Sequence, residues 1–377
     1  MKILYISHNT DLRSTTCVLD AAISSMYPDK IQPFMVFPKF GPWMNYLQEK
    51  GIPCYMYSFI VPDKRKPVDF FKNLIYWVRL IQRHNIDIVH LNEHDNYPMI
   101  RHAVKITGTK VVVGVRFVLD GGYGRWAFRG FYRPKKLLFT SYDQLMRSRK
   151  EIPFDFPAND ILLLGNGRNL TKFIQTPDNS CAIFDKFKLQ KGEFVLGTAS
   201  TIRPRKRLED FIEVVYALKL KGLNVRGFIA GGGDFSDPKY FSALKNQIEK
   251  LRAQNYIHML GNIENISDFY RKIDIFISTS ELETFGMSVC EAMAFSKPVV
   301  AYEGGSVREV LNDQENTVCN GDKNKMVDKI VRLINEPSFF QTCANNNKKR
   351  AFQNYNTESL VKKLSDIYCE IVGERKC

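Results

Sequence analysis

The sequence predicts an α/β protein made of two doubly wound, Rossmann-like domains facing a central cleft. Three observations lead there. A chain of 377 residues is long for one hydrophobic core and comfortable for two. Short apolar runs alternate with amphipathic stretches almost from end to end, as strands and helices do in layered parallel sheets. A polar stretch of weak periodicity, residues 171–193, separates two strand–helix series of similar size.

Taken in order, the first half reads as strands at 2–7, 31–36, 86–91, 110–115, 136–139 and 160–164, with helical patterns such as 16–26 and 68–83 between them. The second half reads as strands at 194–200, 225–230, 257–260, 273–278 and 298–302, partnered by helices at 208–219, 238–253 and 307–311. The last segment, 357–372, repeats Leu360, Leu364, Ile367, Tyr368 and Ile371 at helical spacing. These patterns predict an N-terminal domain over 1–175, a C-terminal domain over 190–355, and a closing helix within 356–377 that returns to the first domain. Ligands of such folds bind at the carboxyl ends of the strands.

Hydrophobic content of 44% and charged content of 25% are ordinary for a soluble globular chain, but a net charge of +14 is not. Residues 1–180 hold 25 Lys and Arg against 15 Asp and Glu, so +10 of it lies there. A basic N-terminal half favours an anionic partner: nucleic acid, a phospholipid surface, or a phosphate-bearing substrate. No nucleic-acid motif accompanies the charge, which sets that partner aside. The eight cysteines show no C-x-x-C pair and no metal-ligand spacing with histidine, so they read as free thiols in a reducing cytoplasm. No run approaches the roughly 18 apolar residues of a membrane span. The apolar start, Met1 to Ser7, is too short for a signal peptide and reads as a buried strand. The expected location is the cytoplasm, with peripheral attachment to the inner membrane face as the alternative.

The most informative stretch runs from Ser278 to Ala301. It places Glu283 and Glu291 eight positions apart, with Phe285-Gly286 as a turn between them and Met287 to Val289 opening a small-residue helix. Apolar runs flank the unit, giving strand, loop, helix, strand. A carboxylate accepts two hydroxyl hydrogen bonds, and helix N-terminal N–H groups favour a diphosphate. The pattern therefore suits a nucleoside diphosphate sugar.

This stretch resembles the E-x7-E element of the retaining glycosyltransferases of family 4, which have the GT-B fold. The similarity extends over most of the chain and is closest over roughly residues 193–315. The resemblance implies that Glu291 grips the donor ribose, that Glu283 contacts the transferred sugar, and that the backbone at Phe285, Gly286, Met287 and Ser288 meets sugar and phosphate.

A second motif, Gly197-Thr198-Ala199-Ser200-Thr201-Ile202-Arg203-Pro204-Arg205-Lys206-Arg207, leaves a strand and enters a helix with a dense cluster of cations. Cations there can neutralise a departing diphosphate. The resembled family sets an Arg and a Lys in this loop. Lys206 matches the Lys, whereas the usual Arg position holds Thr201, so Arg203 stands as a shifted substitute. By the same resemblance Gly231 and Gly232 line the donor cleft, and Ile263 approaches the base through its backbone. Gly304-Gly305 with Glu309 fits the pattern after the last core strand, where Glu309 is assigned to structure.

The N-terminal half departs from the family. The loop from His8 to Thr15 lacks the usual paired glycines, and Arg116 stands where many members have His. Arg13, Ser14 and Arg116 are the candidate acceptor-binding residues. His90 reads as a packed residue rather than a base. The stretch from Arg125 to Lys136 mixes cations with rings, and Lys64-Arg65-Lys66 precedes a helix bearing Phe70, Phe71, Leu74 and Ile75, as a segment lying on an anionic membrane would.

The resemblance implies a metal-independent, retaining hexosyltransferase whose only small-molecule requirement is the substrate nucleotide sugar, a UDP-sugar in preference to a GDP-sugar. No D-x-D motif is present to hold a divalent ion under the diphosphate. The expected acceptor is a glycan or a lipid-diphosphate-linked glycan of bacterial O-antigen or capsule synthesis. A nucleotide-sugar 2-epimerase of the same architecture is the alternative.

Overall fold

The computed structural model describes residues 1–11, 15–60, 63, 65–232 and 236–373. Seven strands form the first sheet: β1 (Lys2–Ile6), β2 (Gln32–Phe37), β3 (Cys54–Met56), β4 (Ile88–Leu91), β5 (Lys110–Val115), β6 (Lys136–Phe139) and β7 (Ile161–Leu163). Their order is β3-β2-β1-β4-β5-β6-β7, and every neighbouring pair is parallel. Six strands form the second: β8 (Phe194–Ala199), β9 (Val225–Ala230), β10 (Ile257–Gly261), β11 (Ile275–Ser278), β12 (Val299–Tyr302) and β13 (Thr317–Val318). Their order is β10-β9-β8-β11-β12-β13, again parallel throughout.

Near-continuous apolar runs such as Val111-Val112-Val113 form these strands because helices cover both faces of a parallel sheet. Helix starts follow local chemistry. Ser141 accepts from the Gln144 N–H, and Asp237 accepts from the Lys239 and Tyr240 N–H groups ahead of Pro238. In each sheet the chain winds outward in one direction and then returns to start again on the other side. The reversal falls between β1 and β4 in the first sheet and between β8 and β11 in the second. These are the switch points where open α/β sheets leave a crevice for ligands.

Contacts divide the chain into two units, one holding residues up to Asn169 together with the segment from Thr357, the other Leu170–Asn356. The second unit begins at Leu170 because Leu170 and Phe173 are buried in its core, and because the Arg271 guanidinium draws in the carbonyls of Ile174 (3.1 Å) and Pro177 (3.2 Å). The closing helix, Thr357–Val372, buries Leu364, Ile367 and Tyr368 with Ile3 and Tyr5 of the first sheet. Buried Lys136 anchors it through Glu370 at 2.7 Å while also pairing with Asp160 at 2.9 Å. Two short strands escape the sequence pattern, β3 and β13: each has too few apolar residues to register as a run. Cys54, Cys181, Cys290, Cys319 and Cys343 carry free thiols, but Cys369 is disulfide-bonded, contrary to the expectation of free thiols throughout.

Candidate active site

The switch point of the second sheet brings together two of the residues singled out by the sequence. β8 and β11 are hydrogen-bonded neighbours, with Ile275 opposite Leu196 and Phe276 opposite Gly197, so their outgoing loops leave side by side. The β8 loop closes in a short turn, Pro204–Lys206, and the β11 loop leads to Glu283. There the Lys206 ammonium pairs directly with Glu283 Oε1, both side chains about nine-tenths buried at 10% and 11% exposure. The backbone holds the pair in place. Thr279 Oγ1 donates to the Lys206 carbonyl at 2.9 Å, and the Glu281 N–H donates to the Arg205 carbonyl at 2.9 Å. Lys206 has three N–H donors, so pairing with Glu283 leaves two for another anion. Arg203 lies exposed at the start of the same turn, and its carbonyl accepts the Lys206 N–H at 2.9 Å.

Glu283 is clamped from below by the loop that follows β12. It forms a parallel bridge with Gly305, its N–H donates to the Gly304 carbonyl at 3.3 Å, and its carbonyl accepts from the Ser306 N–H at 3.0 Å and Oγ at 3.2 Å. Gly305 has φ +64°, and a Cβ there would sit 2.2 Å from the Glu283 carbonyl oxygen. No other residue fits that contact.

Gly286 then turns the chain into helix Met287–Ala294, with Val289 N–H donating to its carbonyl at 3.0 Å. Phe285 is buried, while Met287 and Ser288 are half-buried on the first turn. Glu291 sits one turn further on, where Tyr270 Oη donates to its Oε2 at 3.0 Å. The Tyr270 ring is itself stacked on Phe295 at 5.9 Å, so the carboxylate is fixed from a second helix, Ile266–Lys272.

The loops after β9 and β10 adjoin this region. Gly231 has φ +147°, and a Cβ there would fall 1.8 Å from the Ser200 carbonyl oxygen at the end of the β8 strand. Its N–H donates to the Gly261 carbonyl at 2.8 Å. Gly232 lies against the Asn262 amide, and Ile263 follows, half-buried. Glu309 is exposed, and its carbonyl accepts from Arg350 at 2.8 Å. Among the described residues no group of three or more His, Cys, Asp or Glu is placed to hold a metal ion.

In the first unit, Arg13 and Ser14 lie outside the described residues. Arg116 is buried at the end of β5 and donates to the Asn92 carbonyl (2.9 Å) and Asn92 Oδ1 (2.6 Å). Burial pushes its guanidinium down from the usual range. Beside it lies a carboxylate that the sequence reading passed over. Glu93, at the switch point between β1 and β4, accepts from Ser7 Oγ (3.2 Å), the His8 N–H (3.0 Å), Asn9 Nδ2 (3.1 Å) and Asn92 Nδ2 (2.6 Å). Burial raises it above the usual carboxylate range. The signal was there to find: Asn92-Glu93-His94-Asp95 crowds polar groups onto the end of the apolar run Ile88–Leu91.

Comparison with known proteins bears on both units. Residues 180–350 match the model of the family described as glycosyl transferases group 1. EpsD of Bacillus subtilis (strain 168), a putative glycosyltransferase, is 24% identical over 358 residues, covering 89% of this chain and 91% of its own. The fold is of the GT-B type. The lipopolysaccharide core biosynthesis mannosyltransferase LpsB of Rhizobium meliloti (strain 1021) is 25% identical, over 52% of this chain and 58% of that protein. Among solved structures, Anabaena HepE in complex with UDP superimposes with a TM-score of 0.83 at 18% identity, covering 98% of this GT-B chain and 100% of the other.

Proposed function

We propose that the second unit binds a nucleoside diphosphate sugar, a UDP-sugar in preference to a GDP-sugar, and that the first unit binds the acceptor. The observation that carries this reading is the Lys206–Glu283 pair at the β8/β11 switch point, with Glu291 one helix turn beyond the Gly286 bend. In it, the two remaining Lys206 donors take the β-phosphate, aided by Arg203 at the mouth of the loop. Glu283 keeps Oε1 on Lys206 and offers Oε2 to a hydroxyl of the transferred sugar. Glu291, oriented by Tyr270, accepts the ribose hydroxyls. Gly231, Gly232 and Ile263 supply close backbone for phosphate and base.

The reaction breaks the bond between the anomeric carbon and the phosphate oxygen. The phosphate leaves with the electron pair and takes the proton of the acceptor hydroxyl, which attacks from the same face, so configuration is retained. Lys206 and Arg203 stabilise the charge that develops on the departing phosphate. No metal is required, because cations occupy the role that a divalent ion plays elsewhere. The acceptor is a cell-surface glycan under assembly, such as O-antigen or capsule, free or on a lipid diphosphate. The binding of UDP by HepE supports the base, and the name of LpsB supports the acceptor class. The relatives are transferases, and nothing favours the 2-epimerase reading.

The test is incubation of the whole chain with UDP- and GDP-sugars plus a panel of glycan acceptors, with product stereochemistry read by NMR. Expected are UDP release that persists in a chelator and a product of retained configuration. An inverted product, activity lost to the chelator and restored by Mn²⁺, or donor isomerisation without acceptor would each overturn a named part.

A further inference from the structure

The first unit carries a surface for which the donor chemistry has no use. Helix Pro67–His84 buries Asn73, Trp77, Leu80 and Ile81 on one side. On the other, Val68 (63%), Phe71 (57%) and Ile75 (48%) stand exposed. Helical spacing sets Lys72 and Arg79 on that same outer side, and the helix's single acid is Asp69. A solvated helix face is polar; this one is apolar and cationic.

Ring contacts continue the surface to Arg101. Phe70 meets Phe71 at 5.4 Å and His102 at 5.2 Å, and His102 meets Tyr132 at 5.0 Å. The Arg101 guanidinium lies over the rings of Trp126 (4.1 Å) and Tyr132 (4.8 Å). Its Nε is buried without a hydrogen-bond partner. It borders a hollow of about 360 Å³ that also gathers Lys105, Lys110, Arg133 and Lys135. The one acid there, Asp160, pairs with Lys136 at 2.9 Å and with Lys135 at 3.9 Å, and Arg133 reaches Asp155 at 4.0 Å, so the cations outnumber the carboxylates around the hollow. Phe131, 83% exposed, and Ile106, 62% exposed, flank the same element ends. The hollow lies where β5 and β6 begin, the opposite end of the sheet from the switch point, so it is not part of an acceptor crevice there.

We propose that this hollow takes the phosphate of an anionic phospholipid headgroup while Phe131, Ile106 and the Val68, Phe71 and Ile75 ridge enter the membrane interface. An unsatisfied guanidinium N–H among four further cations calls for a phosphate oxygen. Exposed rings and aliphatics beside it serve no purpose for a soluble anion and lower the free energy of a lipid contact. The site is separate from the donor site, so either can fail without the other.

The test is co-sedimentation of the full chain with vesicles of equimolar phosphatidylcholine and phosphatidylglycerol, against phosphatidylcholine alone, at physiological salt. Binding is expected only to the anionic vesicles. Lys105→Glu with Lys110→Glu should weaken it about tenfold or more, as loss and reversal of two surface cations demands, and Phe131→Ser should weaken it several-fold. All three positions are exposed, so folding is checked by an unchanged circular dichroism spectrum and melting temperature. Arg101→Gln should remove the remaining preference for phosphatidylglycerol. Equal binding to both vesicle types, or variants that bind as the parent does, would overturn the proposal. So would stabilisation by inorganic phosphate, lost in Arg101→Gln, without vesicle binding, which would mark a soluble anion site. An oligonucleotide bound more tightly than the vesicles would point to nucleic acid instead.

Discussion

Lys206 and Glu283 are each costly to bury alone and tolerable together. Removing one therefore exposes the cost of the other. Lys206→Ala leaves a buried carboxylate without its cation, a loss of about 3–5 kcal/mol in unfolding experiments. Turnover should fall about 10²–10³-fold if the ammonium also stabilises the leaving phosphate. Lys206→Arg separates the two effects: urea melts should recover most of the stability, whereas turnover should not recover with it, because the planar fork cannot reproduce a tetrahedral donor. A variant that loses stability but keeps its rate would confine Lys206 to a structural role. At this scale the sequence was legible where chemistry is local. Glu283, Glu291 and Lys206 stand in contiguous strand–loop units, so their places just past the ends of β8 and β11 could be read from the apolar runs before them. Tyr270 was not legible, because its hydroxyl reaches Glu291 from another helix and its spacing reads only as a core aromatic. Glu93 was missed for a different reason: its partners on the β1 loop are 84 to 86 residues away in sequence.

The loops that hold these side chains depend on close backbone packing. At Gly305 an added methyl group meets the Glu283 carbonyl oxygen and must also adopt φ +64°. Gly305→Ala should cost about 1–3 kcal/mol, measurable as a lowered urea midpoint with unchanged slope. It should also weaken UDP binding, because the bridge to Glu283 is what the methyl displaces. Normal UDP affinity in a destabilised Gly305→Ala would detach the bridge from the site. Most strands were legible because helices cover both faces and force continuous apolar runs. The short β3 and β13 were not, since three- and two-residue strands are set by their neighbours' register rather than by their own composition. The second unit starts at Leu170, just ahead of a span that looks featureless in sequence, because burial of Leu170 and Phe173 depends on a helix about a hundred residues later.

Across the molecule, the buried His90 and the half-buried His258 couple folding to pH. In the first unit His90 is buried against Tyr368 Oη at 2.5 Å, and burial, with Arg116 adding to it, lowers its pKa to about 3. Burial lowers His258 in the second unit to about 4. Unfolded, both imidazoles titrate near 6.5. Between those values the unfolded chain binds more protons, so stability is full above about pH 6.5 and falls as pH drops toward 4, by up to about 1.4 kcal/mol per pH unit for each group. The melting temperature should be lower at pH 5 than at pH 7, with a shallower slope in His90→Gln; a flat profile would contradict it. The basic charge of the first half was legible in composition, but its partition into a buried Arg116, a cation-lined hollow and an exposed helix face required coordinates. The proposed nucleoside diphosphate site at the second unit's switch point is built on Glu283, Glu291 and Lys206. Titration calorimetry of UDP into the full chain, with chelator present, tests it most directly. Saturable binding is expected, and Glu291→Ala should remove it without unfolding the protein. Absence of binding by every nucleoside diphosphate, or equal binding by Glu291→Ala, would contradict it.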